Sequence, residues 1–136
     1  MIEKKEINIA IVGLGKVGST FLKKLLEKER QGIKVIGVVE QNKDTPGIEL
    51  AKNKGIKIYD SLDKLLYLSQ EVDVIFDLTG NIGAREAMRG GLARTRNQHT
   101  VIAPEVIAFL IWDLIAQGSE EFPAHTSPQS GAKRGY

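Results

Sequence analysis

The sequence predicts a three-layer, doubly wound α/β fold with a mostly parallel five-stranded sheet in the strand order 3-2-1-4-5. Apolar runs rich in Val and Ile alternate with amphipathic helical stretches, which is the pattern of parallel strands joined by crossover helices. The first strand, residues 7–12, is apolar at nearly every position, as expected of a central strand covered on both faces. Right-handed crossovers then place strands 1 and 4 side by side.

Strands and helices alternate along the chain. The predicted strands are residues 7–12, 33–40, 56–59, 72–80 and 99–104. The predicted helices are residues 16–32, 45–55, 61–69, 81–95 and 105–117. Gly32 ends the first helix, Thr45 and Ser61 suit the N-cap positions of the second and third, and Gly90–Gly91 interrupt the fourth. The first helix is expected to bury an apolar stripe while its Lys and Glu residues face water. The stripe consists of Val17, Phe21, Leu22, Leu25 and Leu26.

Composition restricts the class of protein. The 136 residues, 42% hydrophobic and 26% charged, suffice for one domain with a real core. We expect residues 1–117 to form this domain, and residues 118–136, rich in Gly, Ser and Pro, to form a flexible C-terminal tail or linker. The net charge of +2 is too small for a general nucleic-acid-binding face.

Three kinds of site or segment are not expected. Cysteine is absent, which leaves no disulfide or thiol nucleophile, and two histidines without a carboxylate cluster do not suggest a metal site. No apolar run suits a signal peptide or a membrane span. We therefore expect a cytoplasmic protein.

Three glycines follow the first strand in the segment IAIVGLGKVGST, with the spacing G-x-G-x-x-G. At the entry of a helix this spacing is typical of a dinucleotide phosphate site. Gly13 would allow the tight turn, Gly15 would let a pyrophosphate approach the backbone, and Gly18 would let helix and strand pack closely. The helix N–H groups and dipole would hold the negative charge. The cofactor-binding residues predicted here are Gly13, Leu14, Gly15, Lys16, Val17 and Gly18.

Glu40 is a second sign of a dinucleotide site. It ends the second strand about 20 residues after the last glycine, where a carboxylate accepts hydrogen bonds from the adenosine ribose hydroxyls. Because a carboxylate repels a 2′-phosphate, we expect NAD rather than NADP, although Lys43 lies close enough in sequence to soften that preference. The alternative is that the glycines only turn and pack, while Glu40 is a solvated strand end.

The end of the fourth strand completes the predicted site. In a sheet of this order it faces the crevice between strands 1 and 4, where ligands bind. Leu78, Thr79, Gly80 and Asn81 are therefore predicted to contact the cofactor. The alternative is a plain strand-to-helix turn capped by Thr79 or Asn81. A buried Asp77 would be explained by hydrogen bonds from backbone N–H groups as well as by catalysis.

Over residues 7 to about 110, the chain resembles the Rossmann-type NAD-binding domain of the homoserine dehydrogenase and aspartate dehydrogenase group. The resemblance is carried by IAIVGLGKVGS, the strand end VVE, the segment DVIFDLTGN and the segment HTVIAPEVIA. It implies a Rossmann fold, an NAD cofactor, and contacts of Thr79 and Gly80 with the ribose or nicotinamide side. Homoserine dehydrogenases carry an Ala-Asn-Lys segment whose lysine lies near the substrate. The matching stretch here is Ala103-Pro104-Glu105, so the resemblance supplies no catalytic residue.

The histidines and arginines suggest no mechanism. His99, at the start of the fifth strand, is interpreted as structural rather than as a general base, and His125 lies in the predicted tail. The arginines concentrated around the fourth helix are Arg85, Arg89, Arg94 and Arg96. We interpret them as a solvated face, because Glu86 interrupts them and no aromatic residue offers a stacking surface. Contact with an acidic partner or with a neighbouring subunit's cofactor phosphates is the alternative.

The last helix, within residues 105–117, is apolar on more than one stripe. A helix at the edge of a sheet buries only one face on its own domain, so the surplus predicts an interface. We expect a homo-oligomer, first of all a dimer, through this helix. Docking against a missing domain of a longer parent chain is the alternative.

Two functional hypotheses follow. In the first, the chain is an NAD(H)-binding module that senses the nicotinamide pool without turnover and without its own substrate domain. In the second, it is the cofactor half of an NAD-dependent dehydrogenase acting on a small amino or hydroxy acid. Hydride transfer needs a wall that holds the substrate and excludes water, and we expect another subunit, protein or parent chain to supply it. A scaffold that binds only protein would require an empty glycine loop.

Overall fold

The computed structural model describes residues 6–28, 32–116 and 121–123. The strands are β1 (Ile7–Val12), β2 (Ile33–Val39), β3 (Lys57–Tyr59), β4 (Val74–Asp77) and β5 (Val101–Ala103). The helices are α1 (Lys16–Glu27), α2 (Pro46–Asn53), α3 (Leu62–Leu66), α4 (Ile82–Arg94) and α5 (Glu105–Ile115), and a 3₁₀ turn spans Ser69–Glu71. All neighbouring strands pair in parallel in the order β3-β2-β1-β4-β5, which confirms the predicted fold class.

The two faces of the sheet have separate cores, and β1 contributes to both. Ile9 and Ile11 face the core formed with α1, α2 and α5, whereas Ala10 and Val12 face the core formed with α3 and α4. Successive side chains of a strand point to opposite faces, so a strand covered on both sides is apolar throughout. β1 is thus the central, doubly buried strand from which the glycine loop departs.

Several predicted boundaries are wrong. α1 ends at Glu27 rather than at Gly32, and β4 and β5 are shorter than expected. α4 is continuous rather than interrupted. A Cβ at Gly91 would lie 2.2 Å from a Leu66 methyl, so this glycine lets α4 pack closely against α3. Lys24 is buried instead of facing water, with its ammonium 5.2 Å from the Trp112 ring centre.

The predicted helix starts hold with one difference. Ser61 accepts a hydrogen bond from the Lys64 N–H at 3.4 Å, as an N-cap does. Thr45 occupies the N-cap position of α2, but its side chain makes no capping bond. Within the described ranges, no helix combines the length and apolar character needed to cross a membrane.

The expected tail lies outside the described residues except for residues 121–123. There Phe122 is buried and stacks on Trp112, with the ring centres 4.8 Å apart. It also contacts Phe109 edge to face at 4.8 Å. The domain boundary after residue 117 stays a prediction, but this aromatic side chain belongs to the core beneath α1 and α5.

Candidate functional site

A cleft of about 550 Å³ opens at the carboxyl ends of β1, β2 and β4, where the strand order reverses direction. In doubly wound sheets this switch point is where ligands bind. The structure brings seven of the predicted residues together at its walls. They are Gly13, Gly15, Lys16, Glu40, Leu78, Thr79 and Asn81.

The other four predicted residues do not line the cleft. Leu14 and Val17 are 0% and 1% exposed and their side chains belong to the core. Any contact they make with a ligand in the cleft would therefore come from the backbone. Gly18 lies in the first turn of α1 and is buried, and Gly80 has a φ of +68° in the turn after β4. Both shape the loops instead of lining the space.

Two of the three loop glycines are required by the protein itself. Gly13 has a φ of +97°, which a residue with a side chain adopts only with strain, and its Cβ would lie 3.0 Å from the Leu78 carbonyl. A Cβ at Gly18 would lie only 1.8 Å from the Gly13 carbonyl oxygen. These are the tight turn and the close packing of helix on strand that the sequence predicts.

Gly15 differs from the other two glycines. Its backbone has φ −69° and ψ −154°, a conformation open to any residue, and a Cβ added there would meet nothing within 4 Å. No described neighbour therefore explains why this position is glycine. Gly15 lies at the cleft wall and is the N-cap of α1, which has no side-chain cap and no acidic residue in its first turn. The open space thus faces the positive end of a helix dipole.

Glu40 is tied to the glycine loop across the cleft. Its Oε1 accepts the Leu14 N–H at 2.6 Å, and its Oε2 accepts the Asn42 N–H at 2.9 Å. It is therefore not a solvated strand end. A carboxylate offers about four acceptor positions, so acceptor capacity remains for hydroxyl groups of a ligand in the cleft.

The turn after β4 is built on a buried carboxylate. Asp77 is 2% exposed, and its Oδ1 accepts both the N–H of Thr79 at 3.2 Å and its hydroxyl at 2.7 Å. The Nε of Arg85 lies 3.4 Å from Oδ2. Arg85 therefore has a specific partner that the interpretation as a solvated face did not include, although its side chain stays 39% exposed. Asn81 caps α4 through the Gly83 N–H at 2.7 Å, so the alternative of a capped turn is also present.

The sequence interpretation missed six residues of the cleft wall. They are Val12, Val39, Gln41, Ser61, Leu62 and Ala84. Ser61 and Leu62 follow β3, whose carboxyl end lies at the same edge of the sheet as those of β1 and β4. The strand order alone could have pointed to them. Gln41 directly follows Glu40 and could have been included with it.

The remaining candidates lie away from the cleft. His99 precedes β5 by two residues, and its Nε2 is 2.5 Å from Oδ1 of Asp73, which precedes β4. This pair is at the amino edge of the sheet, opposite the cleft. Glu105 is half-buried at the start of α5 and is not among the residues that line the cleft.

Comparison with known proteins gives a family match. The model of the family described as homoserine dehydrogenase, NAD binding domain, matches residues 13–113. Comparison with curated proteins gives no match.

Among solved structures, homoserine dehydrogenase from S. aureus has 20% identity and a TM-score of 0.56, covering 80% of this chain and 30% of that one. An NAD-binding protein from Listeria innocua has 22% identity and a TM-score of 0.52, covering 83% of this chain and 34% of that one. GenD2 from gentamicin A biosynthesis, in complex with NAD, has 19% identity and a TM-score of 0.50, covering 74% and 34%. At these identities the likeness shows the shared fold. The chain spans about a third of the length of these proteins.

Proposed function

The chain belongs to the homoserine dehydrogenase NAD-binding domain family, and on this premise we propose that its cleft binds NAD(H). The pyrophosphate would lie against Gly13, Gly15 and Lys16 at the N-terminus of α1. Glu40 would accept hydrogen bonds from the adenosine ribose, and the residues after β4 would face the nicotinamide half. When bound, the cofactor supplies hydride chemistry, and the chain supplies binding and orientation.

One observation carries this proposal: the packing around Gly15 leaves room for a side chain, so no described neighbour requires a glycine there. Its backbone conformation is ordinary and the space where its Cβ would project is empty for 4 Å. A ligand that approaches the backbone closely requires that space. The alternative, that the loop only turns and packs, explains Gly13 and Gly18 but gives no packing reason for glycine at position 15.

The proposed cofactor is NAD rather than NADP. The Glu40 carboxylate is fixed at the cleft wall by two backbone N–H groups, so it cannot easily turn away from a 2′-phosphate. Lys43 does not line this cleft, and lies beside Lys57 and Lys64 in a neighbouring hollow. The position of Lys43 therefore does not support the expectation that this residue weakens the preference for NAD over NADP.

We propose binding without turnover, as in a module that responds to the nicotinamide pool, as the leading function. Glu105 supports it, because an acidic residue stands where the resembled enzymes carry a lysine. The second candidate, the cofactor half of a dehydrogenase for a small amino or hydroxy acid, is favoured by membership of the family. The cytoplasmic location expected from the sequence also stays a proposal.

Isothermal titration calorimetry with NAD⁺, NADH, NADP⁺ and ADP-ribose tests the binding proposal. We expect NAD(H) to bind, ADP-ribose to bind through the phosphate and adenosine contacts that it shares with NAD(H), and NADP⁺ to bind at least about tenfold more weakly than NAD⁺. An absence of binding by all four at millimolar concentration would contradict it. Turnover of NADH with candidate keto acids or aldehydes, measured on the same sample, would favour the dehydrogenase candidate over the binding module.

We also propose that two copies associate through α5. Four apolar side chains of this helix remain exposed, and Phe122 covers the opposite side of it. The exposed residues are Val106, Ile107, Leu110 and Leu114. Light scattering during gel filtration should show a dimer, and Leu110→Glu should shift it to a monomer. Tyr67→Glu, at a side chain that is 86% exposed elsewhere, is the matched control and should leave the dimer intact.

A further inference from the structure

The hydroxyl of Ser19 joins two elements behind the glycine loop. Ser19 is buried in the first turn of α1, and its Oγ donates to the Leu14 carbonyl oxygen at 2.6 Å. The same Oγ accepts the N–H of Gly47, the second residue of α2, at 2.9 Å. The side chain thus connects the middle of the glycine loop to the N-terminus of α2.

The backbone of Leu14 is also held at its N–H, which belongs to the preceding peptide group. Glu40 Oε1 accepts the Leu14 N–H at 2.6 Å, and the Leu14 side chain is fully buried. The N–H, the carbonyl and the side chain of one residue are therefore all fixed. Because Leu14 lies between Gly13 and Gly15, its position determines where Gly15 and the first N–H groups of α1 point.

Gly47, Ser19 and Leu14 are closely packed against one another. A Cβ at Gly47 would lie 2.6 Å from Ser19 Oγ and 3.2 Å from both methyl groups of Leu14. α2 therefore reaches the glycine loop through a bare backbone segment. Loss of the Ser19 hydroxyl would leave the buried Gly47 N–H and the Leu14 carbonyl without this partner. The glycine loop would then lose its hydrogen-bonded connection to α2.

From this geometry we propose that Ser19 is a positioning residue for dinucleotide binding. Its hydroxyl fixes the Leu14–Gly15 peptide group and the Glu40 carboxylate fixes the Gly13–Leu14 peptide group, so that Gly15 and the α1 N-terminus meet a pyrophosphate without rearrangement. The inference rests on the proposed function, which places the pyrophosphate at this loop. Ser19 does not line the cleft and acts only through Leu14. One carboxylate thereby couples the ribose end of the site to the phosphate end.

Ser19→Ala tests this role, with Thr20→Ala, at the neighbouring half-buried hydroxyl of α1, as the matched control. NAD⁺ affinity is measured by calorimetry at a temperature where circular dichroism shows each variant fully folded. We expect Ser19→Ala to bind NAD⁺ about fivefold to twentyfold more weakly and Thr20→Ala to bind like the wild type. A merely structural serine would lower the midpoint of unfolding and leave the dissociation constant unchanged, which would overturn the proposal.

Glu40→Ala combined with Ser19→Ala tests the coupling through one residue, Leu14. If both side chains act on Leu14, the double variant should lose less affinity than the product of the two single losses. Independent, multiplicative losses would contradict the coupling. If Ser19→Ala does not fold, Ser19→Cys replaces it, because cysteine keeps a weak hydrogen-bond donor in nearly the same volume. The proposed role would also be overturned if Ser19→Cys binds NAD⁺ with the wild-type dissociation constant while its Gly47 amide exchanges faster. If the wild-type protein itself does not bind NAD⁺, the proposed function fails, and the positioning role of Ser19 fails with it.

Discussion

Replacing Gly15 with alanine tests whether glycine is needed at this position for ligand binding or for the stability of the fold. The new Cβ would enter space that is empty for 4 Å, in a backbone conformation that alanine adopts freely. Alanine is a poorer N-cap than glycine, but it also lowers the entropy of the unfolded chain, and the two effects partly cancel. We expect the free energy of unfolding to change by less than about 1 kcal/mol. NAD⁺ affinity should fall at least about tenfold, or about 1.4 kcal/mol, because the methyl group occupies the path of the pyrophosphate.

Gly18→Ala is the matched comparison. Its Cβ would lie 1.8 Å from the Gly13 carbonyl oxygen, a backbone atom, so α1 and the loop must move apart. Such overpacking costs about 1–3 kcal/mol, and we expect a clear fall in the midpoint of unfolding. Thermal circular dichroism and NAD⁺ calorimetry on both variants form the assay. The reasoning is refuted if Gly15→Ala binds NAD⁺ like the wild type, or if it is destabilised as much as Gly18→Ala.

Three further substitutions follow from the site and its surroundings. Arg85→Ala removes the cation beside the buried Asp77 carboxylate, and since the arginine side chain is 39% exposed we expect a loss of only about 1 kcal/mol in urea unfolding. Glu40→Ala should not convert the protein to NADP, since it also removes the partner of the Leu14 N–H; tight NADP⁺ binding in a titration would contradict this. Lys64 lowers the pKa of Asp60 through a hydrogen bond and its charge, so this pair stabilises the fold above the usual aspartate pKa and loses its effect as pH falls through the lowered value. In Lys64→Met, carboxyl NMR titration should show the Asp60 pKa raised to the usual range.

The periodicity of apolar residues predicts the architecture well, because a strand that is buried on both faces has apolar residues at consecutive positions. β1 is apolar at consecutive positions since Ile9 and Ala10 belong to opposite cores, and that pattern fixes it at the sheet centre. Boundaries are harder, because they depend on partners distant in sequence. Gly91 looks like a helix breaker in isolation, but it lies within a continuous α4, where Leu66 of α3 packs against the position that a side chain would occupy.

The sequence motifs of the candidate site can be predicted, but the hydrogen bonds and ion pairs that join its distant residues cannot. The spacing of the glycines and the position of Glu40 are visible in the sequence, but the hydrogen bond from the Leu14 N–H to Glu40 spans 26 positions and follows from the sheet order. Ser19 gives no sequence signal, because a serine in the first turn of a helix is common and its buried bridge to Gly47 depends on how α2 packs. The pairing of Arg85 with Asp77 is hidden for a similar reason, since the helical pattern places that arginine on a solvated face.

Amide chemical-shift mapping with NAD⁺ tests the central claim most directly. The ¹⁵N-labelled protein is titrated with NAD⁺, and shift changes are assigned to residues. We predict that the largest changes fall on residues 13–17, 40–41 and 78–81, and that the Gly15→Ala variant needs at least about tenfold more NAD⁺ to reach half of these changes. Saturating NAD⁺ that shifts no amide of the glycine loop, or that shifts only residues at the amino edge of the sheet near His99, would contradict the assignment of this cleft as the NAD site.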